Sequence, residues 1–160
     1  MRILGVDPGL NTTGYGVIRY EDKKVTLLEA GIIQPKRTDL LQHRLQKIYQ
    51  GLEEVIKQYQ PDVLVLEKLY SHYRHPATVS VLGHVRGVIC FLCAQKNIEL
   101  REHSPKRIRK SVTGTGNASK QQTQRMIAHL LNIQTDRLSL DASDALALAI
   151  GFTQIHRHSL

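Results

Sequence analysis

Four acids stand where acids are costly. Asp7 closes the nearly continuous apolar run 2–7, and Glu67 follows the wholly apolar Val63-Leu64-Val65-Leu66. Asp141 and Asp144 are spaced i, i+3, which puts them on a shared helical face. The residues after them, Ala145-Leu146-Ala147-Leu148-Ala149-Ile150-Gly151-Phe152, are almost all apolar. An unpaired carboxylate in such surroundings is expensive or takes up a proton. Each acid also has an ordinary explanation. Asp7 before Pro8-Gly9 suits a turn, and Glu67 could pair with Lys68. Asp141 suits a helix N-cap, with Asp144 then at the third helical position. If the four instead converge, their charges repel, and divalent cations relieve that repulsion. Oxygen donors of this kind suit Mg²⁺ or Mn²⁺. Two such ions about 3.5–4 Å apart are a recurring apparatus for phosphodiester hydrolysis. The 8 histidines are scattered and show no zinc spacing.

The elements that would carry these acids follow from periodicity. Residues 2–7, 14–20 and 25–33 read as three strands bounded by turn residues. Leu41, Leu45, Ile48, Leu52, Val55 and Tyr59 mark one apolar face of a long helix that Pro61-Asp62 ends. Residues 63–66 form a short strand of the kind covered on both faces. A polar, aromatic segment spans 68–76, and a second helix spans 77–95 with Val81, Leu82, Val85, Ile89 and Leu92 inward. A fifth strand at 98–103 precedes a short basic helix at 105–112 and a glycine-bearing loop at 113–117. Helices at 118–131 and 141–156 complete the chain. The order βββαβαβ followed by helices predicts an α/β sheet with an antiparallel hairpin edge. Sites in such sheets tend to lie beyond strand ends, where Asp7 and Glu67 fall.

The 160 residues suit one domain, expected to span 1–160. Lys+Arg 22 against Asp+Glu 14 leaves +8, which points to a polyanionic partner, nucleic acid first. Between 101 and 125 seven basic residues face one acid, so +6 of that excess sits in one segment. Lys106, Arg107, Arg109 and Lys110 could follow a phosphate backbone, with Gly114 and Gly116 letting the loop approach it. No Walker A pattern is present. A basic protein with a two-metal acid site reads as a nuclease. The longest apolar stretch, 88–94, is short for a bilayer span, and Asp7-Pro8 comes too early for a secretory signal, so a cytoplasmic protein without membrane attachment is expected. Cys90 and Cys93 have C-x-x-C spacing but no second ligand pair, and read as buried structural thiols.

In order along the chain, several segments resemble the RuvC family of Holliday junction resolvases. They are Ile3-Leu4-Gly5-Val6-Asp7-Pro8-Gly9 with Thr13-Gly14-Tyr15-Gly16-Val17-Ile18, then Val65-Leu66-Glu67-Lys68-Leu69-Tyr70, then Gly83-His84-Val85-Arg86-Gly87-Val88. Ser111 through Lys120 resembles the family's basic loop, and Asp141 through Ala149 its last motif. The match runs nearly end to end.

The resemblance implies an RNase H-like fold, a five-stranded mixed sheet flanked by helices. It implies a homodimer that resolves four-way DNA junctions by paired symmetric nicks with Mg²⁺, two ions per site, Mn²⁺ substituting. Asp7, Glu67, Asp141 and Asp144 match the family's metal-binding acids, with Asp7 the expected bridge between the ions. Products would carry 5′-phosphate and 3′-hydroxyl ends. Lys68 stands where Gln or Glu is more usual, Tyr70 where Phe is frequent and Arg109 where Lys is usual. Tyr70 and Tyr73, with Arg74, would stack on unpaired bases at the crossover. Lys120 joins the DNA-binding set. Gly83 and Gly87, four apart, allow close helix packing, either on the sheet or across a two-fold dimer interface. Docking with the RuvA–RuvB branch-migration motor is also implied. The competing readings are a non-catalytic junction-binding protein, an RNA–DNA hybrid nuclease and an actin-like ATPase. The last needs two lobes.

Overall fold

The computed structural model describes residues 1–69 and 76–156, with side chains from residue 79 onward in the second stretch. Among these residues β1 (Arg2–Asp7), β2 (Thr13–Glu21), β3 (Lys24–Ile33), β4 (Val63–Glu67) and β5 (Glu99–His103) form one sheet in the order β3-β2-β1-β4-β5. β1, β2 and β3 are antiparallel neighbours, while β1, β4 and β5 run parallel. The mixed sheet is the one expected.

Side chains alternate faces along a strand, so period two decides where the acids project. In β1, Ile3 packs on one side of the sheet, while Leu4 and Val6 pack on the other. In β4, Val63 and Val65 share the side of Ile3, and Leu64 and Leu66 lie opposite. Continuing each alternation puts Asp7 and Glu67 on the same face, at the carboxyl ends of adjacent parallel strands. The register Val6–Leu66 sets them side by side. Full burial of a residue such as Leu64 or Leu66 stabilises the fold by about 1.5–3 kcal/mol.

The face away from the acids is covered by α1 (Leu41–Tyr59) and α2 (Pro76–Lys96), through Ile48, Leu52, Val85 and Ile89. The acid-bearing face is covered by α3 (Pro105–Thr113), α4 (Lys120–Leu131) and α5 (Leu140–Ile155). α5 lies almost directly on the sheet backbone. A methyl group at Gly5 would overlap the Ala145 carbonyl oxygen, and one at Gly14 would overlap that of Asp141. Only residues without a side chain permit this approach. Because Gly14 pairs with Asp7, α5 delivers its first turn to the strand end that carries Asp7.

The structure corrects three expectations. Asp141 is not the N-cap of α5. Ser139 is, its hydroxyl accepting from Ala142 N, and both aspartates lie inside the helix. A serine oxygen two positions earlier does the capping, so the ordinary explanation for Asp141 fails. Cys90 is exposed and only Cys93 is buried, because the inward stripe of α2 runs Val85, Ile89, Leu92 and Cys93. The glycines of α2 do not pack on the sheet. A Cβ at Gly83 or Gly87 would meet no atom of the described residues within 4 Å. Residues Val79–Lys96 also have the length and composition of a membrane-crossing helix, with mean hydropathy 1.2. Here one face of that helix packs on the sheet.

Candidate active site

Asp7, Glu67 and Asp144 line one cleft of about 430 Å³, together with Arg109 and Lys120. Each comes from a different element. The ends of β1 and β4 supply Asp7 and Glu67, and the first turns of α5 supply Asp144. The basic residues come from capped helices. Ser104 accepts from Arg107 N at the start of α3, whose first residue is Pro105. Ser119 and Gln122 form a reciprocal capping box that places Lys120 at the first position of α4.

Asp141 is close enough to Asp7 to raise its carboxyl. It borders a second cleft of about 640 Å³ with Gly9, Asn11, Thr12, Val81 and Leu82. The i, i+3 spacing keeps the two α5 aspartates on one helical face, with Asp144 lining the first cleft and Asp141 the second. Thr13 Oγ1 donates to Gly9 O at 2.7 Å and ties the turn beside this second cleft. Arg44 of α1 holds the same turn, with Nη2 at 2.7 Å from Asn11 Oδ1 and 3.1 Å from Leu10 O.

The cleft is strained by like charge. Burial pushes the Asp7 carboxyl up to about 7, and Asp144, Glu67 and Asp141 push in the same direction, while Lys120 opposes them. Glu67 is also raised, by burial first and then by Asp144, with Arg109, Lys120 and Arg86 pulling it back. Lys120 Nζ lies 2.6 Å from Asp144 Oδ2. These all-oxygen donors match a hard divalent cation in kind. Among the described residues no three acid, histidine or cysteine side chains stand at one ion's ligand spacing. Among the described residues, Lys120 and Arg109 bring positive charge into the cleft.

The remaining sequence-predicted residues divide. Lys106, Arg107 and Lys110 are exposed on α3, while Arg109 is half-buried and turns into the cleft. Tyr70, Tyr73 and Arg74 lie outside the described residues. Sequence reasoning missed Arg44 and Arg86. Arg86 reaches from α2 to the Glu67 carbonyl and the Glu102 carboxylate. Its motif, Gly83-His84-Val85-Arg86-Gly87-Val88, was visible, but the motif does not say which way an arginine on a helix turns.

Residues 3–152 match the family model described as crossover junction endodeoxyribonuclease RuvC. A protein of that name from Rhodopirellula baltica is 43% identical over 148 residues, covering 92% of this chain and 83% of the relative. Another from Alkaliphilus metalliredigens is 37% identical over 159 residues, covering 99% of this chain and 94% of the relative. The Thermus thermophilus RuvC structure superposes with a TM-score of 0.88 at 23% identity, over 99% of this chain and 97% of that one. T. thermophilus RuvC in complex with Holliday junction substrate superposes equally, TM-score 0.88 at 19% identity, over 99% and 96%. At such identities these two speak to the fold, which is the RNase H-like arrangement expected.

Proposed function

The chain belongs to the crossover junction endodeoxyribonuclease RuvC family, and from that membership we propose that it is a nuclease that resolves Holliday junctions by paired symmetric nicking. One observation carries the proposal. Three carboxylates from three separate elements share a cleft walled by arginine and lysine, and burial and like charge raise the Asp7 carboxyl to about 7. Structural acids on a solvated face experience neither effect.

Asp7, Glu67 and Asp144, with Asp141 from the adjoining cleft, would hold Mg²⁺ as two ions per site, or Mn²⁺ in its place. Such ions activate water and neutralise charge developing on the leaving oxygen. The chain's own groups do the rest. Arg109 and Lys120 present two cations to the scissile phosphate, and Pro105 and Ile108 form an apolar wall that limits water. Lys106, Arg107 and Lys110 extend the positive surface along α3, where a DNA backbone gains affinity by counterion release. The products carry 5′-phosphate and 3′-hydroxyl ends. Tyr70, Tyr73 and Arg74 complete the junction contact by stacking on unpaired bases.

A symmetric junction presents two equivalent strands, which a two-fold dimer matches. The open face of α2 supports a homodimer. Gly83 and Gly87 sit beside Leu45, Tyr49, Val88 and Phe91 around a shallow recess. Phe91 is 62% exposed, which is costly for an aromatic ring left in water. The whole chain, 1–160, acts as one domain in the cytoplasm, with the RuvA–RuvB motor as partner.

The test is cleavage of an end-labelled mobile four-way junction, wild type against Asp7→Asn, with linear duplex as control. Paired, ligatable nicks are expected from wild type on the junction alone. Tight junction binding without cleavage in Mg²⁺ or Mn²⁺ would replace the nuclease reading with a junction-binding one.

A further inference from the structure

We propose that Arg86 is a positioning residue for Glu67, fixing the end of β4 from the far side of the sheet. The proposal rests on the reading of Glu67 as a metal-holding acid.

Glu67 projects toward α5 by the alternation of β4, whereas Leu66 projects toward α2. Its backbone carbonyl lies at the last residue of β4, where the pairing with β5 ends at Glu67–His103. A strand end beyond its ladder is free to fray, and fraying here would displace the carboxylate. Arg86 Nη1 donates to the Glu67 carbonyl oxygen, and Arg86 Nη2 donates to Glu102 Oε1. Glu102 pairs with Leu66 across β4 and β5, so its side chain lies on the α2 face. One guanidinium therefore bridges the ends of both strands. Lys68 N, donating to His103 O at 2.8 Å, is a second tie at the same point.

The arginine is well placed to hold this geometry. Its side chain is 14% exposed, beside the buried Val85 on α2. A planar fork grips two acceptors at fixed separation, whereas the single ammonium of lysine grips one at a time. Its charge also favours ionised Glu67. Gly83, one turn before Arg86, and the adjacent Gly87 would meet no atom of the described residues within 4 Å if given a Cβ. The helix that offers a surface to a second copy thus also holds a catalytic acid's backbone. Partners that orient metal ligands in this way are typically worth about 10–100-fold in metal affinity or activity.

The test compares wild type, Arg86→Gln, Arg86→Lys, Glu102→Gln and the Arg86→Gln/Glu102→Gln double variant. Mn²⁺ uptake is read by calorimetry without DNA, and single-turnover junction cleavage and junction affinity are measured separately. The expected result for Arg86→Gln is about a 10–100-fold loss in both Mn²⁺ affinity and cleavage rate. Junction affinity should stay within about twofold, since no DNA-contacting residue is changed. Arg86→Lys should recover part of the loss. Glu102→Gln should lose less than Arg86→Gln, and the double variant should lose no more than Arg86→Gln alone, because both changes break one clamp. Should Arg86→Gln fail to fold, Glu102→Gln carries the test, its carboxylate being 40% exposed. Wild-type Mn²⁺ affinity and rate in every folded variant would overturn the role of Arg86 alone. A wild type that takes up no Mn²⁺ would overturn the reading of the acids, and this proposal with it.

Discussion

Lys120 Nζ stands 2.6 Å from Asp144 Oδ2, the first residue of α4 reaching across to an acid of α5. The ammonium occupies the region where the acids' negative charge accumulates, and it lowers the Asp7 carboxyl against the combined push of burial and three acids. The lysine side chain is 63% exposed, so it can leave Asp144 when a phosphate offers a better partner.

Removal of that ammonium should have opposite effects on metal uptake and on chemistry. Lys120→Gln should bind Mn²⁺ more tightly without DNA, because no protein cation competes for Asp144. The same variant should cleave junctions more slowly, by about 10–100-fold, for want of a cation on the phosphate. Folding stability should change by less than about 1 kcal/mol, as is usual for exposed pairs. Calorimetric Mn²⁺ titration and single-turnover cleavage on one preparation check both signs.

Asp7 gives a pH-dependent prediction. Its folded-state value of about 7 lies above the unfolded value near 3.8, so the folded state prefers the protonated carboxyl. The carboxylate therefore costs stability progressively as pH rises above about 4, and the cost is complete above about 7. Asp7→Asn carries no such charge. In chelator its advantage over wild type should be small near pH 4, grow between pH 4 and 7, and level off at about 1–4 kcal/mol by pH 8. Thermal melts across that range measure it, and a divalent cation should narrow the gap by stabilising wild type. Cleavage by the variant should fall by several orders of magnitude.

The glycines divide into two kinds. Gly14→Ala puts a methyl group into the Asp141 carbonyl, so α5 must move or the strand must bend. A loss of about 2–4 kcal/mol is expected, with cleavage falling further than stability alone explains. Gly83→Ala meets no atom of the described residues within 4 Å. It should raise the stability of α2 by about 0.5–1 kcal/mol, the ordinary helix preference for alanine. Denaturant unfolding of the two variants distinguishes them.

Gly87→Leu tests the homodimer. The side chain has room within one protomer but would fill the recess that a second copy needs. Light scattering should report a shift toward monomer mass with the melting temperature little changed. Junctions should then be nicked on one strand at a time. A Gly87→Leu protein of unchanged dimer mass would place the interface elsewhere.

Much of the acid site was readable along the chain because strand alternation is local. The apolar runs ending at Asp7 and Glu67 are enough to place both carboxylates at strand ends, while the register of β1 with β4 puts them on one face. The helix caps were less readable. Asp141 and Ser139 are both good N-caps, and only the accepted hydrogen bond from Ala142 N selects the serine. The inward face of α2 was correct at Val85, Ile89 and Leu92, but its apolar outer face concealed the exposure of Cys90 and Phe91. A helix that is apolar nearly all round has no polar face to show which side meets solvent.

What the sequence determined by itself was the kind of chemistry and the elements that carry it. Four acids in apolar settings, a basic segment after β5 and the alternation of β1 and β4 are properties of neighbours along the chain. Tertiary structure decided which of these groups meet. It gathered Asp7, Glu67 and Asp144 around one cleft, brought Lys120 onto Asp144, and sent Arg86 to the back of Glu67. Those outcomes depend on how closely α5 lies on Gly5 and Gly14, and on which side of the sheet α2 packs. Both are contacts between residues far apart in sequence, set by the packing of whole faces, which no local period encodes.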